Sequence, residues 1–291
     1  MIIIRAVQMR IVFILVAGGL ALAGCGSEEG SDSRTVVATT GILANIAGNV
    51  AGPALEVEQL IPDGSSPHDY ALSADDRLVL EQADLVVADG AGLEATLPLD
   101  EVDAPRWELS AHAGPLLADD PHVWMDPSRV AAALPSLADA LAEVDPAHAA
   151  DFRGRAEDYA RELNALDAQI ERELSRIPVA DRELVTSHDA LGYFADRYGL
   201  AVVATAFPTS GPEAEASAAA VSEVIDAVRA NQVPAVFAGE EDDPEALRLV
   251  ADETGALVVD DLIVESLGSA ESYEDMLRHD AGSIASALGD G

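Results

Sequence analysis

The chain predicts an α/β fold: two parallel-sheet α/β lobes joined by one long rigid α-helix. Three observations carry that expectation. A strand–helix alternation begins at Arg34, a second begins near Glu183, and one long amphipathic stretch lies between them. Repeated strand–helix units of this length build mainly parallel sheets with right-handed crossovers.

In the first series, residues 35–39 (TVVAT) form a β-branched apolar run and 42–50 a helical stretch. Residues 55–61 (LEVEQLI) alternate as a strand, with Glu56 and Glu58 outward. Residues 74–82 read as helix, 84–88 (DLVVA) as a buried strand, 92–97 as the start of another helix and 106–109 as a short strand. In the middle, Asp126 before Pro127 is a helix start, a capping carboxylate ahead of a first-turn proline. Pro135 is expected to kink or interrupt that helix. A second start at Asp145-Pro146 opens the long helix, in which Phe152, Ala156, Tyr159, Leu163, Leu166, Ile170, Leu174 and Ile177 recur three and four apart. About 30 residues at ~1.5 Å each span roughly 45 Å, the length of a two-lobed molecule.

The second series follows. Strands are expected at 183–186, 201–206, 234–238 and 256–259, and helices at 189–198, 213–230, 244–253 and 272–288. These readings place an N-terminal lobe at 34–126, a linking helical segment at 127–178 and a C-terminal lobe at 179–291.

Residues 1–24 read as an export signal rather than fold. Arg5 and Arg10 flank an apolar run of about a dozen residues, well short of the ~20 that a membrane span needs. The segment closes on Leu22-Ala23-Gly24-Cys25, which looks like a bacterial lipobox whose cysteine receives lipid. Residues 25–33 then form a polar tether. The expected location is the outer face of a membrane, held there by lipid. Cys25 is the only cysteine, so an intrachain disulfide and a thiolate metal site are both excluded.

The formal net charge is −37, with 53 acidic residues against 16 basic ones, all of them arginine. Phosphate contact demands a basic surface, so nucleic acid is not a partner. The acidic residues read as a solvated face.

Three of the six histidines stand where ligands gather in open α/β sheets, just beyond strand ends. His68 lies in SSPHDY, His122 in DPHVWMDP and His188 in TSHDA, and an acidic pair, Asp260 and Asp261, follows a fourth strand. Imidazole and carboxylate donors suit Zn²⁺. His68 and His122 come from the first lobe, His188 and the acid from the second, so the metal would sit in the cleft between lobes. Asp69, Asp126 and Asp189 lie near these positions as partners for the ligands or as helix caps, with capping favoured for Asp126. His112 reads as a loop residue, His148 and His279 as surface. Spacing does not separate Asp260 from Asp261.

The segments TVVATTGILANIAGNVAG, LIPDGSSPHDY, ADLVVADGAGLE, DPHVWMDP, VTSHDALGYFADRYGL and DDLIVESLGSAESYEDML run in order from Arg34 to the C-terminus. They resemble the solute-binding lipoproteins of zinc and manganese ABC importers, the ZnuA-like family. The resemblance implies two lobes linked by the long helix, with metal held by His68, His122, His188 and, measured back from Tyr273, Asp261. A histidine at the third position accompanies zinc in that family and a glutamate accompanies manganese, so Zn²⁺ is the expected cargo and Mn²⁺ the alternative. The implied partners are an ABC permease and its cytoplasmic ATPase, with the receptor acting as a monomer. Two features depart from the family: the short segment LSAHAGPLLADD before His122, and Gly239 where an acid usually follows Phe237. Four protein ligands leave no open position for a substrate water, so an enzyme is not expected. A zinc hydrolase with water in place of Asp261, or a surface adhesion lipoprotein, is the reading from another class.

Overall fold

A computed structural model describes residues 34–118, 120–207, 218–240 and 245–289. The export signal, the tether and Cys25 lie outside the described residues, as does the expected helix start at residues 213–217. Among the described residues are eight strands, in two four-stranded parallel sheets.

The first sheet holds β1 (Thr35–Ala38), β2 (Glu56–Gln59), β3 (Leu85–Ala88) and β4 (Arg106–Glu108), in the order β2-β1-β3-β4. Its helices are α1 (Gly41–Ala51), α2 (Ala74–Glu81) and the short α3 (Leu109–His112). Local chemistry sets their starts. Thr40 Oγ1 accepts from Leu43 N at 3.3 Å to cap α1, and Ser73 and Asp76 form a reciprocal capping box on α2. The expected helix at 92–97 is a series of turns. Gly90, Ala91 and Gly92 take φ of 80°, 50° and 90°, a backbone no helix continues through. The buried Glu94 carboxylate fixes that turn by accepting from Asp89 N, Gly90 N and Thr39 Oγ1.

Two helices link the halves. In α4 (Pro127–Val144), Asp126 caps the start through Ser128 N at 2.9 Å, as expected. The helix runs on through Pro135 without interruption. That residue stands on the exposed face, where the carbonyl it leaves unpaired can be hydrated. The long helix α5 (Ala149–Leu174) buries the expected stripe from Phe152 to Leu174. It packs against α4, α1 and the last helix at once, so one apolar core spans both halves of the chain.

The second sheet holds β5 (Glu183–His188), β6 (Ala201–Phe207), β7 (Ala235–Gly239) and β8 (Leu257–Leu262), in the order β6-β5-β7-β8. Its helices are α6 (Gly192–Tyr198), α7 (Ala218–Asn231), α8 (Glu245–Thr254) and α9 (Tyr273–Gly289). Although α9 follows the second sheet in sequence, it also reaches back to the first half. Tyr273 N donates to Asn45 Oδ1 at 3.1 Å, and Tyr273 Oη donates to the carbonyl of Trp124. Among the described residues, no helix is long and apolar enough to cross a membrane.

Candidate metal centre

His188 is the last residue of β5, and His68 and His122 stand in the loops that follow β2 and β4. Three elements far apart in sequence thereby bring three imidazoles to one point. The Nε2 atoms of His68 and His122 lie 3.3 Å apart, and those of His188 and His122 3.4 Å apart. The ring centroids are 5.2 to 5.5 Å from one another, with the rings tilted or edge to face. The sequence placed these rings at strand ends, and the structure turns all three toward a common centre.

The fourth donor is Glu265. Its Oε1 lies 3.2 Å from His68 Nε2, 3.0 Å from His188 Nε2 and 4.0 Å from His122 Nε2. The four donor atoms fall within 4.8 Å of one another, the single such group among the described residues. His122 is 2% exposed and Glu265 9%, while His68 and His188 are half-buried. The cluster is therefore buried on the His122 and Glu265 side and partly open at His68 and His188.

The structure does not bring Asp261, the expected fourth ligand, to this cluster. The strand preceding it runs further than the sequence suggested, to Leu262, so both acids lie within β8 and not beyond its end. The β7–β8 register shifts between Phe237 and Gly239, which pair with Val259 and Leu262. One extra residue on β8 makes a bulge there, and both Asp260 and Asp261 face solvent. Asp260 pairs with Arg248 at 3.2 Å. Asp261 accepts from Ser283 Oγ at 3.2 Å and sits 3.4 Å from His279 Nε2. The chain turns toward the cluster only after β8, and Glu265 is the first acid past that point.

Four contacts hold the Glu265 segment. Ile263 N donates to the buried Asp280 at 2.8 Å, and Trp124 Nε1 donates to Val264 O at 2.9 Å. Glu240 N donates to Leu262 O at 2.7 Å, and Ser269 N donates to Glu240 Oε1 at 2.8 Å. Glu240, which follows Gly239, therefore braces the turn beyond Glu265.

Asp120 orients His122. Its Oδ1 accepts from the His122 backbone N at 2.9 Å and lies 2.8 Å from Nδ1. A proton on Nδ1 held by that carboxylate leaves the Nε2 lone pair facing the other donors. Sequence reading missed Asp120; its signal was the acid immediately before Pro121-His122. Asp69 and Asp189, the acids adjacent to His68 and His188, are exposed. The remaining histidines lie elsewhere: His112 stacks on Trp107 at the end of α3, His148 pairs with Asp145, and His279 with Asp261.

Electrostatics favour a neutral His122 ring and an ionised Glu265 carboxylate. Burial lowers the His122 pKa, as do His188 and His68, while Asp120 partly opposes the shift. Burial alone would raise the Glu265 carboxyl, but hydrogen bonds and charge from His188 and His68 override it and hold the group well below the usual range.

Residues 36–287 match the family described as zinc-uptake complex component A, periplasmic. The chain belongs to the zinc-uptake component A family. Members are metal-binding, substrate-binding proteins of ABC importers and not enzymes. Relatives of the zinc-uptake component A chain include the iron-binding protein YfeA of Yersinia pestis, 32% identical over 95% of each chain. The manganese-binding lipoprotein MntA of Halalkalibacterium halodurans is 28% identical over 95% of this chain and 97% of its own. Among solved structures, the periplasmic zinc-binding protein TroA of Treponema pallidum superposes with a TM-score of 0.80 at 26% identity. That match covers 88% of this chain and 99% of TroA.

Proposed function

We propose that this zinc-uptake component A protein captures Zn²⁺ through His68, His122, His188 and Glu265 and delivers it to an ABC permease driven by a cytoplasmic ATPase. The separation of the donors supports this reading. An ion about 2.0 to 2.1 Å from each of four tetrahedral ligands sets those ligands roughly 3.3 Å apart. The Nε2 atoms stand 3.3 and 3.4 Å apart, with Glu265 Oε1 at 3.0 and 3.2 Å from two of them. Three neutral imidazoles and one carboxylate are a borderline donor set that suits zinc.

Mn²⁺ is the second reading, favoured by the manganese-binding relative MntA and by a carboxylate that can turn to offer both oxygens. Competition between Mn²⁺ and Zn²⁺ for the metal-free protein, followed by calorimetry, separates the two. Zinc displaced by stoichiometric manganese overturns the zinc assignment.

In this reading residues 1–24 direct export, Cys25 carries the lipid, and 25–33 tether the receptor beside its permease at the outer membrane face, where it acts as a monomer. The lobes divide at 34–126 and 179–291, with 127–178 as the link. A Cys25→Ala variant should appear in the medium instead of the membrane fraction.

A further inference from the structure

Nothing in the backbone at Gly192 calls for glycine. This residue opens α6, four positions after His188, and its φ lies outside the left-handed region. Alanine favours a helix over glycine, so a free position there would gain from a methyl group. A side chain is excluded by an acid from the other half of the molecule. A Cβ on Gly192 would stand 2.2 Å from Asp120 Oδ2 and 3.4 Å from its Cγ.

Asp120 cannot simply swing aside. Its other oxygen accepts from the His122 backbone N at 2.9 Å and faces His122 Nδ1 at 2.8 Å. The segment that carries it is seated on α6 by further contacts. Leu117 N donates to Tyr193 Oη at 3.0 Å, and Arg129, which holds Pro115 O at 2.6 Å, lies over the Tyr193 ring. Moving Asp120 by the distance a methyl group demands breaks its hold on the His122 ring.

We propose that Gly192 is a positioning residue for metal capture: its bare Cα leaves the room in which Asp120 holds His122 at the angle that aims Nε2 into the cluster. The first turn of α6 in the second half thus sets the orientation of a ligand from the first half. This rests on the reading of His122 as a metal ligand.

A double-mutant cycle tests it, with Zn²⁺ affinity read by competition with a chromophoric chelator and Co²⁺ absorption reporting coordination geometry. Gly192→Ala should weaken Zn²⁺ binding by about tenfold or more, the scale of lost ligand orientation, and alter the Co²⁺ spectrum. The melting temperature of the metal-free protein should fall only modestly, by no more than the loss of Asp120's hold on His122 accounts for, with cooperative unfolding kept. In an Asp120→Ala background, which removes both the obstacle and the hydrogen bond, Gly192→Ala should have no further effect. Wild-type affinity in Gly192→Ala, or effects that add across the cycle, overturns the proposal. If Gly192→Ala alone fails to fold, Asp120→Ala must restore folding in the double variant, and failure to do so overturns it equally. His122→Ala is the separate control: unchanged affinity there sinks the metal site itself, whatever Gly192 does.

Discussion

Trp124 Nε1 donates to the backbone carbonyl of Val264, 2.9 Å away across 140 positions of sequence. The donor stands two residues past His122 and the acceptor one residue before Glu265. The indole also lies edge-on to the His122 ring, with centroids 5.2 Å apart. One buried hydrogen bond therefore fixes the spacing between a candidate ligand from each half. Replacing Trp124 with Phe keeps an aromatic ring but strands the Val264 carbonyl, at a cost of about 1 to 3 kcal/mol. The metal-free variant should melt lower and bind Zn²⁺ severalfold more weakly. Loss of stability with unaltered affinity would show that the bond does not set the site.

The identity of the fourth donor is the sharpest test of the site. Glu265→Ala should lower Zn²⁺ affinity by roughly 100-fold or more, beyond the 10–100-fold typical of losing an outer-shell partner. Asp261→Ala removes only an exposed contact to His279 and Ser283, and such pairs contribute little, so affinity should hold. Calorimetric titration of both variants decides it; the opposite ranking would restore Asp261.

Much of the fold was legible because β-branched apolar runs mark most strands. The histidines were legible because each lies on the chain leading on from a strand, His188 at its end and His122 only after α3. What stayed hidden depends on contacts between distant segments. The bulge in β8 turns Asp260 and Asp261 outward, a consequence of pairing with β7 that no local pattern carries. The amphipathic face of α9 predicts burial but not that Tyr273 reaches Trp124 and Asn45. Asp120 reads as an ordinary loop acid until the His122 ring is seen beside it. Residues 92–97 have helical composition, yet the positive φ values at Gly90, Ala91 and Gly92 stop a helix from starting there.

Metal release should follow acidification. Protonated imidazole cannot ligate, so Zn²⁺ affinity measured at about pH 5.5 should be far below that at about pH 7.5. Burial lowers the His122 pKa, so below the ordinary imidazole value the unfolded chain takes up a proton that the folded chain refuses. Stability of the metal-free protein therefore falls as pH drops through about 6.5. Glu265, held below the usual carboxylate range, adds to the loss at lower pH as it too is protonated. Chemical unfolding across this range should show stability declining toward acid; a flat profile would contradict a neutral buried His122.

Asp280 should act in the opposite direction. It is fully buried in α9, and its Oδ1 accepts from Ile263 N at 2.8 Å while Oδ2 has no hydrogen-bond partner. Burial pushes its carboxyl well above the ordinary range; the Ile263 N–H partly opposes this, and Asp261 and Glu240 add to it. The folded chain then keeps a proton that the unfolded chain gives up near pH ~4. The stability this provides is full below that pH and is lost as pH rises toward the raised folded value. Asparagine offers the same acceptor without ionising, so Asp280→Asn should melt no lower than wild type at neutral pH and higher in alkali. Asp280→Ala leaves Ile263 N–H unpaired and should lose about 1 to 3 kcal/mol at every pH. Because Ile263 leads into the Glu265 segment, the alanine variant should also bind Zn²⁺ more weakly, whereas the asparagine variant should not. An Asp280→Asn protein that melts lower than wild type in alkali would mean that the native carboxyl is ionised in its buried site.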